Sequence, residues 1–405
     1  MNIFDSIFYF CISLLPVAAI AAWMIRGRVH AQFRDTHWRS LPAHYGWYIF
    51  ICMILPSSVL FLLVSTLHLL TLYSASGATL LSAAFLLTLW GGWYGFKNIN
   101  PDLCAREFVE SVIRYLLISA AFISILTTIG IVLAIIFEAI HFFKIVSFWE
   151  FITGTHWAPD DATSGNTSGM FGSIPIFAGT FMITIIAMLV AVPIGILSAV
   201  FMSEYASERV RNTAKPALEI LAGIPTVVYG FFAAITVSPL VVKFADSVGL
   251  QADYTNALTP GIVMGIMIIP FISSLSDDVI RAVPRALRDG SLALGTTISE
   301  TVKYIVLPAA LPGIIAAILL GVSRALGETM IVVMAAGLRP NLTWNPLEGM
   351  TTVTVRIVDA LTGDQAFDSP ETLSAFGLGL VLLVITLLLN VVSIYVTRRF
   401  RSQYE

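Results

Sequence analysis

The chain has 405 residues, of which 57% are hydrophobic and only 12% charged, with a mean hydropathy of +0.88. Soluble domains carry roughly 25% charged residues, so this composition excludes a water-soluble globule and describes an integral membrane protein. The net charge of −3 says little about partners, because the distribution of charge matters more than its sum; no nucleic-acid partner is expected, and Cys11, Cys52 and Cys104 compose neither a disulfide framework nor a metal or cofactor motif.

A spanning helix needs about 20 mostly apolar residues. Nine runs qualify, at about 4–25, 47–71, 79–96, 112–137, 176–202, 217–242, 258–276, 309–336 and 373–397. The expected fold is all-α and polytopic. No basic residue precedes the first run, whereas Arg26 and Arg28 follow it, the reverse of a secretion signal, so it reads as a retained span. Alternate loops then divide the basic residues unequally. Seventeen of the 22 fall on one side, including Arg34 and Arg39 after the first span and Arg398, Arg399 and Arg401 after the last. Lys144, Lys243, Arg339 and Arg356 fall on the other. Basic residues accumulate in cytoplasmic loops, which sets the amino terminus outside and the carboxyl terminus in the cytoplasm.

On the outer side, segments 138–175 and 337–372 carry Trp, Gly, Pro and acidic residues with little helical periodicity, and they are long enough to touch a soluble partner. Asn166 and Asn341 open glycosylation-like triplets too short to carry weight. His30, His37 and His44 recur every seven residues, but Pro42 interrupts the pattern and the spacing matches no zinc site.

The inner loop 277–308 is too patterned for a linker. Pro284 opens a helix with Leu287 and Leu294 on one face, and Gly295 ends it. A second amphipathic piece places Ile298, Val302 and Ile305 at helical spacing until Pro308 breaks it. Within the eighth run, Gly313, Ala317, Gly321, Ala325 and Thr329 form a small-residue seam that admits a second helix. Beside it stand Arg324 and Glu328. A guanidinium deep in a bilayer costs roughly 2.5–3.5 kcal/mol on insertion scales, so it needs a partner, water or a task. Four residues of helix bring the two side chains together, and an internal ion pair is expected. On these residues alone the pair either locks helices or stands in the path of an anion.

The loop resembles the coupling loop of ABC-importer permeases, which reads Glu-Ala-Ala, three residues, Gly, nine residues, Ile, one residue, Leu-Pro. Gly295, Ile305, Leu307 and Pro308 fit that spacing, while Asp289, Gly290 and Ser291 stand at the Glu-Ala-Ala positions. The segment SRALGETM at 323–330, with LAGIPTVVYGFFA at 221–233 and GIMIIPFISSLSDDVIRAVPRALR at 265–288, is similar to phosphate-specific ABC importer permeases of the PstC type. The resemblance covers about residues 112–397. It implies a six-span core within residues 101–405, preceded by a three-span accessory region over residues 1–100. It also implies import of phosphate across a bacterial inner membrane, with Arg324 and Glu328 in the substrate path. The implied partners are a sister permease (PstA type), an ABC ATPase dimer (PstB type) and an external phosphate-binding protein (PstS type). No phosphate-cradling G-x-x-x-x-G-K-[ST] segment occurs, so ATP hydrolysis falls to a separate chain and no catalytic residue is expected here. A permease for another oxyanion, an ion-driven transporter using Glu328 and a non-transporting scaffold are the competing readings.

Overall fold

The computed structural model describes residues 3–32, 38–69, 77–159, 168–362 and 369–401. Arg34, His37 and Asn166 lie outside them. Among the described residues nine helices are long and apolar enough to cross a membrane, matching the nine expected spans, and no strand occurs beyond one isolated bridge between Trp157 and Phe171. The chain divides into two compact units, residues 1–129 and 130–405.

The first unit holds α1 (Ile3–Gln32), α2 (Pro42–Leu69), α3 (Gly77–Lys97) and the first part of α4 (Ala105–Ile145). Apolar side chains give no net drive for association in lipid, so such helices meet where small residues let backbones approach. Gly91 of α3 does this. A Cβ there would strike the Cys52 carbonyl of α2, and one at Gly46 would meet the Ala22 carbonyl of α1 at 3.0 Å. The buried hydroxyls of Ser57 and Thr88 pair at 2.7 Å across α2 and α3. Tyr45, Ile49 and Met53 close a core with Ala18, Ile25, Val29, Ala105 and Val109.

The second unit contains the rest of α4, then α5 (Phe148–Thr153), α6 (Ile174–Val200), α7 (Glu208–Ala222), α8 (Thr226–Phe232), α9 (Ser238–Ser247) and α10 (Leu258–Ala282). After these come α11 (Arg285–Ala293), α12 (Ile298–Thr301), α13 (Leu307–Leu326), α14 (Met330–Ala335), α15 (Val353–Thr362) and α16 (Pro370–Arg401). Helix α10 is its centre, buried along Val263, Met264, Met267, Ile268 and Ile272. It packs on α6 through Gly261 against Ile186 and Gly265 against Val190, and on α13 through Gly313 against Val279 and Gly321 against Ile272. The small-residue seam of α13 therefore meets a helix of the same chain.

Several expected boundaries move. The sixth span begins at Thr226 rather than 217, because Gly223 and Pro225 separate it from α7, an amphipathic helix with no buried residue. Segments expected to be irregular contain α5 and α15. Residues 277–282, expected in the inner loop, complete α10. Pro308 does not end a helix. Its missing N–H and bulky ring would break a regular ladder, but the preceding turn, Val302–Val306, is π-helical, and residues 298–326 run on as one span.

Candidate functional site

The eighth run is cut in two between its charged residues. Helix α13 stops at Leu326 with Gly327 as its cap, and α14 starts at Met330. The expected ion pair is therefore absent. Glu328 turns to the new helix start, where its Oε1 accepts the N–H groups of Thr329 (3.1 Å), Met330 (3.0 Å) and Ile331 (3.5 Å). Those N–H groups have no partner within the helix, and a carboxylate satisfies them while favouring the positive end of the dipole. The Glu328 carbonyl accepts the Thr354 hydroxyl at 2.8 Å, fastening the break to α15. Gly327 followed by an acid is a stop-and-start signal that the unbroken apolar run concealed.

Arg324 is left in the last turn of α13, exposed, with its guanidinium 5.7 Å from the centroid of the Phe271 ring. No ion pair among the described residues includes it. Phe271 stands thirteen residues into α10, roughly 20 Å along its axis at 1.5 Å per residue, so Arg324 lies near the middle of that span. On the other side of the break, Gly230 of α8 packs against Met330, Ile331 and Met334, and a side chain there would collide with α14. Gly230 and Pro225 thus serve as a packing contact and a helix cap.

The patterned loop forms a helical hairpin at the end of α10. Asp289 and Gly290 are exposed on α11, and Ser291 is buried, its hydroxyl 2.6 Å from that of Thr296 and 2.9 Å from that of Thr301. Gly295 follows α11 at φ +86°, a left-handed position that favours glycine. Thr297 and Glu300 cap α12 reciprocally, a Thr-x-x-Glu signal readable in the sequence. Ile305 sits in the π-helical turn, and Leu307 and Pro308 continue it into α13, all half-buried. Leu287, Leu292, Leu294 and Ile298 are exposed on this hairpin, Leu294 at 87%. Such an apolar patch on polar helices marks a contact surface.

Sequence reasoning missed two charged clusters. Asp277, fully buried at the end of α10, is met by Arg211 Nη2 at 2.9 Å, Lys215 Nζ at 3.5 Å and Arg281 Nε at 3.3 Å, which moors α7 to α10. Lys215 also reaches Asp278 at 3.0 Å, and that hydrogen bond holds the amine above its ordinary pKa. The second cluster joins Arg288 of α11 to Glu204 in the π-helical turn Phe201–Tyr205 that ends α6, at 2.9 Å. Both lie beyond the apolar runs, where charge density alone suggests solvent. Among the described residues no cluster of His, Cys, Asp or Glu is arranged to hold a metal ion.

The family described as "Binding-protein-dependent transport system inner membrane component" matches residues 191–402. The probable ABC transporter permease protein YqgH of Bacillus subtilis is 33% identical over 296 residues, covering 73% of this chain and 93% of that protein. The phosphate transport system permease protein PstC 1 of Mycobacterium bovis is 34% identical over 278 residues, covering 62% of this chain and 82% of that protein. Among solved structures, a bacterial alginate ABC transporter in complex with its alginate-bound periplasmic protein shares the fold, with a TM-score of 0.51 at 16% identity over 72% of this chain and 97% of that one. With its broken spans, its helical hairpin and a family match across more than half its length, the chain belongs to the binding-protein-dependent transport system inner membrane components, as a multi-pass permease subunit.

Proposed function

We propose that this chain is a PstC-type permease that imports inorganic phosphate through an ATP-driven complex. The observation that carries this reading is Arg324, an exposed guanidinium with no ion pair among the described residues, near the middle of the α10 span and beside a break in the transmembrane path. Its cost in hydrocarbon requires water or another chain against it, and a water-filled path for an anion would meet that need and give the positive charge a use. The relatives named for phosphate transport supply the anion's identity. In this reading a PstA-type permease covers the α13 face, and the α11–α12 hairpin, with Asp289, Gly290, Ser291, Gly295, Ile305, Leu307 and Pro308, lies in the cytoplasm against a PstB-type ATPase dimer. A PstS-type binding protein delivers phosphate at the opposite side. The amino terminus is outside and the carboxyl terminus inside, and residues 1–100 form an accessory region to a core of 101–405. Broken helices at the midplane let backbone groups line a cavity without exposure to lipid, which suits alternating access.

The test is uptake of labelled phosphate into vesicles holding all four components, with and without ATP. Arg324→Ala should reduce ATP-driven uptake at least about tenfold, as expected from roughly 1.5–3 kcal/mol for a hydrogen bond to a charged group, with the complex still co-purifying. Uptake within about twofold of the parent, or loss of the assembled complex, would remove the substrate-path role.

A further inference from the structure

Arg288 lies next to Asp289 on α11, and its guanidinium is spent entirely inside the permease. Nε and Nη2 approach Glu204 Oε1 at 3.2 and 2.9 Å, Nη2 donates to the Ile280 carbonyl at 2.7 Å, and Nη1 donates to the Val283 carbonyl at 2.5 Å. The carbonyls belong to the C-terminal end of α10, where helix acceptors lack partners and a cation is favoured. Glu204 belongs to the π-helical turn of α6, a kind of irregularity concentrated at functional sites. One side chain thus joins three helices. The pair is shielded, with 17% and 11% of the two side chains exposed, so it is not a loose surface contact. Arg285, three residues earlier on the same helix, is exposed and makes no ion pair among the described residues, so charge on α11 does not by itself produce this arrangement.

We propose that Arg288 is the positioning residue that makes α11 move as one body with the ends of α6 and α10, so that displacement of the hairpin is delivered to the two most closely packed spans. The inference rests on the permease reading above. Hydrophobic contact between α11 and its neighbours is slight, Ser291 being its one buried residue, so the guanidinium carries the angular relation between hairpin and spans. Without it the hairpin still seats the ATPase but swings without moving the spans.

The complete reconstituted complex tests this through the ratio of ATP hydrolysed to phosphate imported. Arg288→Ala should raise that ratio about fivefold or more, the lower end of measured coupling effects, with co-purification intact. Glu204→Gln, which keeps an acceptor and removes the charge, should fall between, and the exchange Arg288→Glu with Glu204→Arg should recover part of the loss. An unchanged ratio in Arg288→Ala, or a parallel fall of assembly, hydrolysis and uptake in both single variants, would overturn the proposal. A second readout is independent of substrate: spin labels at Leu197→Cys on α6 and Ala286→Cys on α11, with the three native cysteines replaced by serine. Their separation should be the same in resting and ATP-trapped complexes and should broaden with Arg288→Ala. A separation that shifts on trapping in the otherwise parental complex would overturn the proposal. Failure of parental vesicles to take up phosphate would instead count against the substrate reading, leaving the distance measurement to decide this one.

Discussion

The two compact units solve the same problem, holding helices together in lipid, by different means. In residues 1–129 the spans α1 to α3 are single uninterrupted helices, joined by glycine contacts and one buried hydroxyl pair. The ion pair found there among the described residues, Arg106–Glu110, is exposed on both sides. In residues 130–405 the helices are broken at 223–225 and 327–329, relaxed into π-helical turns at Phe201–Tyr205, Ala233–Val237 and Val302–Val306, and moored by shielded charges at Asp277 and Glu204. Continuous helices with small-residue seams have one favourable arrangement and little reason to move. Interrupted helices whose free backbone groups are satisfied by side chains have hinges built in. The contrast is the one expected if the first unit packs and the second moves.

Asp277→Asn is the strongest way to sharpen that contrast. Removing the buried carboxylate should cost about 3 kcal/mol, the low end for breaking a buried pair, because its three cations keep 20–41% exposure and can turn to water. Thermal unfolding in detergent should show it, whereas Arg106→Ala should leave the unfolding temperature unchanged. Next in size is Gly91→Ala, which sets a methyl group against the Cys52 carbonyl and should cost about 1–3 kcal/mol by overpacking. Uptake per folded complex should stay at the parental level; a drop in turnover would erase the division between packing and working units. The smallest effect concerns Glu348, whose carboxyl is held below its ordinary pKa of 4.5, first by Asn345 and then by Thr343 and Asn341. A depressed carboxyl stabilises the folded loop above its unfolded pKa and loses that contribution as pH falls through the folded value. Amide exchange across 341–348 should therefore be slow near neutrality and quicken, after correction for intrinsic rates, below about pH 4.5.

Much of this was readable before any coordinates. Hydropathy placed the nine spans because each is a local property of about 20 residues. The hairpin was legible for the same reason. Pro284, Gly295 and the spacing of Leu287 and Leu294 act within two turns, and α11 begins and ends where they require. The errors came where distant residues decide. Arg324 and Glu328 have the spacing of a helical ion pair, and a single-helix view has no way to weigh it against three free N–H groups. Pro308 reads as a stop until a π-helical turn relieves it.

The sequence by itself therefore determined class, span number and family, since composition, periodicity and motif spacing are short-range or additive. Tertiary structure alone decided which charges meet. Apart from Arg281, one turn from Asp277 on the same helix, the cations that meet Asp277 and Glu204 lie 62 to 84 residues away along the chain, and only packing of α6, α7, α10 and α11 brings them together. Electrostatic contact depends on distance through space, and in a chain of broken helices that distance is set by where each break lets the backbone turn.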